Sequence, residues 1–119
     1  FGHAVVDAAS GAVERVTDEL VREARRVVRP GGTIIIVETL GTNVDRPHAP
    51  LPALADFYRI LEDRYGFERI VIRTDYRFAS PDEAVRRCRF FFGDELADGV
   101  RARGSAMVPE YTGVWWSRT

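Results

Sequence analysis

The spacing of apolar residues changes several times along the chain, and each change marks a predicted element. From Ala4 to Ala9 the run is apolar apart from Asp7, which predicts a short buried strand ending near Ser10 and Gly11. Val13, Val16, Leu20, Val21, Ala24, Val27 and Val28 then recur at helical spacing, while Glu14, Arg15, Asp18, Glu19, Arg22, Glu23, Arg25 and Arg26 fill the other face. This predicts an amphipathic helix with one buried stripe, and places Asp18 and Arg22 one turn apart in the favourable order. Pro30 ends the helix, because the residue before a proline is pushed out of the α region, and Gly31 and Gly32 turn the chain. The β-branched run from Thr33 to Glu38 suits a strand covered on both faces, as in a parallel sheet.

A loop from Leu40 to Leu51 follows, carrying Pro47 and Pro50, and Pro52 can open the next helix. Leu54, Phe57, Leu61 and Tyr65 form its packing stripe, and Gly66 can cap its end. Between Glu68 and Phe78, Ile70, Ile72, Thr74, Tyr76 and Phe78 alternate with Arg69, Val71, Arg73, Asp75 and Arg77. A period of two predicts a strand with one wetter face near a sheet edge. Ser80-Pro81-Asp82-Glu83 reads as a capping box opening a helix that stops near Gly93, and a shorter helix follows to Gly104. The last strand runs from Met107 to Ser117, made irregular by Pro109 and Gly113. The predicted order is β-α-β-α-β-α-α-β, an α/β fold.

Length and composition narrow the class. The 119 residues fit one domain with one core, and 45% hydrophobic and 29% charged residues are an ordinary globular balance. All 17 basic residues are arginine, offset by 18 acidic ones to a net charge of -1, which argues against a general nucleic-acid binder. No apolar run is long enough to span a membrane and no signal peptide is visible. With one cysteine, Cys88, no internal disulfide can form, so a cytoplasmic location is expected. The chain opens on Phe1 without a Met, which suggests a missing natural N-terminus.

The order of elements, the Arg29-Pro30-Gly31-Gly32 turn and the Trp-bearing last strand resemble the C-terminal half of a class I S-adenosylmethionine (SAM)-dependent methyltransferase, a Rossmann-like fold. The resemblance covers nearly the whole chain; its single motifs are common, and its specificity lies in their order and spacing. It implies that residues 1–119 form that half alone, with the first strand as the family's fourth and the strand after Gly32 as its fifth. The last strand would then lie antiparallel between the second and third strands of this chain. The family's glycine-rich cofactor loop has no counterpart, because the ten glycines include no Gly-x-Gly pair. Gly31 and Gly32 join a helix to a strand, whereas a cofactor cradle needs a strand, then glycines, then a helix N-terminus.

The resemblance implies methyl transfer from SAM to a small-molecule acceptor in the complete enzyme, and an inactive fragment here. Asp7, Ala8, Ala9 and Ser10 would border the methionine part of the cofactor, although Ser10 also reads as a helix cap. Glu38 and Thr39, at the end of the second strand, would border the acceptor; Glu38 is a candidate base or a strand-end carboxylate reaching water. His48 is a candidate base, since histidine titrates near neutral pH, or an exposed loop residue. Tyr58, with Phe57, is an acceptor contact or part of the core. Arg69, Arg73 and Arg77, with Arg86, Arg87 and Arg89, read as a solvated face or an attractor of anionic acceptors. Trp115 and Trp116 should face opposite sides of the last strand, and Cys88 should be buried. Two histidines and one cysteine lack metal-ligand spacing, so no metal site is expected. The apolar edge from Ala4 to Ala9 would be unpaired, predicting a homodimer or segment exchange through it. The alternative is a non-enzymatic assembly module that dimerises through the same edge.

Overall fold

A computed structural model describes residues 12–119. The first predicted strand, and with it the Ala4 to Ala9 edge and the candidates Asp7, Ala8, Ala9 and Ser10, lies outside the described residues. The described elements are α1 (Val13–Val27), β1 (Thr33–Thr42), α2 (Pro52–Asp63), β2 (Glu68–Arg73), β3 (Tyr76–Arg77), α3 (Pro81–Phe92), α4 (Asp94–Arg103), β4 (Met107–Val108) and β5 (Glu110–Arg118). They make a mixed α/β fold with a three-stranded sheet, in the order β1-β5-β2, and a separate pairing of β3 with β4. β5 runs antiparallel to both neighbours, with Ile36 opposite Trp115 on one side and Arg69 opposite Trp115 on the other. Every strand pair among the described residues is antiparallel; β1 and β2 share a direction without touching.

Two predicted strands are each broken in two. The strand from Glu68 to Phe78 stops at Arg73, because the Thr74 amide donates to the Glu110 carbonyl and the Asp75 carboxylate accepts from the Glu110 amide. The last strand breaks at Pro109, which has no amide for a ladder. Its short first part, β4, pairs with β3 instead of joining the main sheet. β1 runs longer than predicted, into the expected loop as far as Thr42, through an irregularity at Gly41, whose φ of 113° suits glycine.

One face of the sheet carries the main core. Ile34, Ile36 and Leu40 of β1 and Trp115 of β5 are buried against Val21 of α1 and Leu54, Phe57, Tyr58 and Leu61 of α2. Trp115 is fully buried, and its indole stacks on Tyr58 at 4.2 Å between ring centroids. The stacking is possible because position 113 has no side chain: a Cβ on Gly113 would lie 2.4 Å from the Trp115 ring. α1 and α2 are pinned together at one end, where Arg64 donates to both Asp18 oxygens at 2.9 and 3.0 Å and the Tyr65 hydroxyl donates to the same carboxylate. Asp18 therefore has a tertiary role in addition to the favourable charge of Arg22 one turn on. Thr17, polar in the pattern, is fully buried in the α1 stripe, because its hydroxyl donates back to the Val13 carbonyl. Val27, assigned to the stripe, is exposed instead.

The other face of the sheet is bare among the described residues. Ile35 and Val37 are 62% and 60% exposed, and Ile70 and Ile72 of the edge strand β2 are 51% and 44% exposed. The register places these four on one side with Val114 and Trp116. The expected two-sided cover of β1 and the expected buried side of β2 are therefore not met by these residues. A second, smaller core joins α3 and α4 to β4 through Ala84, Val85, Cys88, Ala97, Val100 and Val108. Ser80 caps α3 by accepting from the Glu83 amide at 3.1 Å, and the Glu83 carboxylate reaches back to the Ala79 amide, one residue earlier than the usual capping box.

Candidate functional site

The carboxyl end of β1 brings four sequence candidates close together. Thr39 lies near the strand end, and its carbonyl accepts the Tyr58 hydroxyl at 2.8 Å. Pro52 at the start of α2 and the helical spacing behind it bring Tyr58 under this strand end. The 40–51 segment folds back so that the His48 amide donates to the Leu40 carbonyl at 2.9 Å. His48 and Tyr58 thereby line one pocket of about 220 Å³ with Leu40, Pro47, Arg59 and Glu62. Glu38 sits one residue upstream of Thr39, half-buried opposite Gly113, and its charge reaches the Tyr58 phenol.

The chemistry of these groups differs. Tyr58 is 3% exposed, and burial, followed by the Glu38 charge, raises its phenol far above the ordinary range. It is a neutral hydrogen-bond donor already committed to a backbone carbonyl, so it positions the strand end and does not supply a base. His48 is exposed, with Nδ1 3.1 Å from the Ala49 carbonyl. Of the pocket residues, His48 has the freer ring edge and the composition suited to proton transfer.

Arg59, Glu62 and Val71, which also line the pocket, were not picked out by the sequence pattern; Arg69, read there as part of a solvated face or an attractor of anionic acceptors, lines it too and pairs with Glu62 at 3.3 Å. Arg73 and Arg89 are engaged with Asp75, and with Asp94 and Asp98, respectively, in keeping with a solvated charged face. Glu110 is the other omission. It is half-buried, it accepts a hydrogen bond from the Thr42 hydroxyl at the end of β1, and burial pushes its carboxyl above the ordinary range. No spacing in the sequence singles it out, because its burial depends on the break at Pro109.

Among the described residues no group of three or more His, Cys, Asp or Glu could hold a metal ion, and no helix is long and apolar enough to cross a membrane. None of the described helices follows a strand through a glycine-rich turn. The chain matches no known family model, no curated protein and no solved structure.

Proposed function

We propose that this chain is the C-terminal half of a SAM-dependent methyltransferase domain that acts in the cytoplasm on a small-molecule acceptor when complete, and that it is inactive alone. The observation that carries the reading is the reversed strand β5 between β1 and β2. A sheet with helices packed on one face and isoleucines bare on the other also suits one half of a fold whose second helical layer comes from elsewhere. In the complete enzyme SAM supplies the methyl group. The residues of this chain would border the acceptor: Thr39 and Tyr58 shape the strand end, and Glu38 and His48 are the candidates to orient the acceptor or take its proton.

The test uses the open reading frame in which this sequence lies. Micromolar SAM binding by that product, and none by residues 1–119, supports the reading. Absence of binding by both, or saturable binding by residues 1–119 alone, overturns it. In an active product, unchanged turnover for both Glu38→Gln and His48→Gln removes these two residues from the mechanism.

A second reading, a non-enzymatic assembly module, is favoured by the bare face of Ile35, Val37, Ile70 and Ile72. Sedimentation separates the two. A dimer that Ile35→Glu dissolves, in a product that never binds SAM, would favour the module.

A further inference from the structure

The small core of α3, α4 and β4 has a feature that the methyl-transfer reading does not use. Phe91 and Phe92 at the end of α3 are 69% and 43% exposed, and Tyr76 of β3 is 39% exposed. Together with Phe78, Cys88 and Arg87 they line an open groove of about 380 Å³. The volume falls within the roughly 300–1,000 Å³ of small-molecule sites. Tyr76 lies between Phe78 and Phe92, 6.2 Å from each ring centroid, and the buried Cys88 also lines the groove. These walls offer ring faces and edges, the surfaces against which a flat π-system packs best.

Among the described residues Arg87 is the one charged side chain that lines the groove, and the charge of Glu110 reaches two of its other walls, Tyr76 and Cys88. Among the described residues the Arg87 guanidinium makes no hydrogen bond; its one ion pair, to Glu83, is 3.7 Å long, beyond hydrogen-bond reach. A planar cation with uncommitted donors beside aromatic walls matches a carboxylate, phenolate or sulfonate on an arene, which it can bind through two parallel hydrogen bonds.

We propose that this groove is a binding site for a planar aromatic anion, with its rings against Tyr76, Phe78, Phe91 and Phe92 and its acidic group on Arg87. The inference is independent of the methyl-transfer reading. A matched pair of fluorescent probes tests it: anilinonaphthalene sulfonate, and phenylnaphthylamine, which has the same rings without the sulfonate. The protein should bind one molecule of either probe, the sulfonate more tightly. Arg87→Gln should weaken the sulfonate probe by about tenfold, as expected for a lost charge-assisted pair, and change the neutral probe by less than about twofold. Phe91→Ala, at an exposed position that should not disturb folding, should weaken both. Three results would overturn the proposal: equal effects of Arg87→Gln on both probes, binding that survives Phe91→Ala but is lost in Ile35→Glu on the sheet face, or a dimer of this chain that occupies the groove and is dissolved by Phe91→Ala.

Discussion

Gly113→Ala should destabilise the fold through a single contact. The added Cβ would fall 2.4 and 2.5 Å from two carbons of the Trp115 ring and 3.0 Å from Leu40 Cδ1. The ring cannot move aside cheaply, because Trp115 is fully buried and stacked on Tyr58, which is itself tied to Thr39. Overpacking of this kind costs about 1–3 kcal/mol. An alanine also restricts the unfolded chain, which returns about 0.4–1 kcal/mol. Gly113 is not among the positive-φ glycines, so no backbone strain adds to the cost. The expected net loss is about 1–2 kcal/mol, read as a lower urea midpoint and a melting temperature lowered by about 4–10 °C. A double-mutant cycle assigns the cause. Trp115→Phe alone should also destabilise, but the smaller ring makes room for the new methyl, so the pair should cost at least about 1 kcal/mol less than the sum. Additivity within about 0.5 kcal/mol, or a Gly113→Ala variant as stable as the parent, would refute the argument that the indole requires the bare backbone.

Other outcomes follow from the same contacts. Ser80→Ala removes the cap of α3 and should cost about 1 kcal/mol in chemical denaturation, with the change concentrated in the small core as seen by amide exchange. The folded carboxyl of Glu110 is raised by burial, so its contribution favours the folded state below the ordinary pKa of about 4.3 and is lost as pH rises through the folded value. Glu110→Gln should therefore raise the urea midpoint at neutral pH, with the gain fading below about pH 4. Asp18 behaves oppositely: the Tyr65 hydroxyl, then Arg64, holds its carboxyl low, so its contribution is present above the ordinary pKa and lost as pH falls through the folded value. Asp18→Asn should flatten the acid limb of the stability profile, by less than about 1 kcal/mol for so exposed a pair. Cys88, buried and with its thiol pushed up chiefly by burial, should react with maleimide only on the timescale of unfolding, so urea should accelerate labelling.

The helices were legible because their signals are local. Pro52, Ser80-Pro81 and the left-handed Gly104 stand at helix boundaries, and the stripes behind them repeat at helical spacing. The strand breaks were harder to read. Asp75 and Glu110 are far apart in sequence, and only their meeting stops β2 where it does. Thr17 was missed because a hydroxyl satisfied within its own helix packs like an apolar group, which polarity alone does not show. The closeness of Thr39, His48 and Tyr58 was expected only from the family resemblance, because no local spacing ties a strand end, a loop and a helix together. The Glu62–Arg69 pair beside them was not, because it joins a helix to an edge strand whose pairing no local pattern reveals.

The position of β5 also bears on how the chain assembles. Of the three strands of the main sheet, the middle one lies last in the sequence, so Thr33 must wait for Arg118 and Glu68 for Trp116. During synthesis, β1 and β2 emerge with no described strand to pair with, and the isoleucines of β1 remain open to other chains in the meantime. Closing such distant pairings is entropically slow. A chain built in this order is most vulnerable to aggregation while β5 has yet to emerge, so added chaperone or a lower growth temperature should raise its yield.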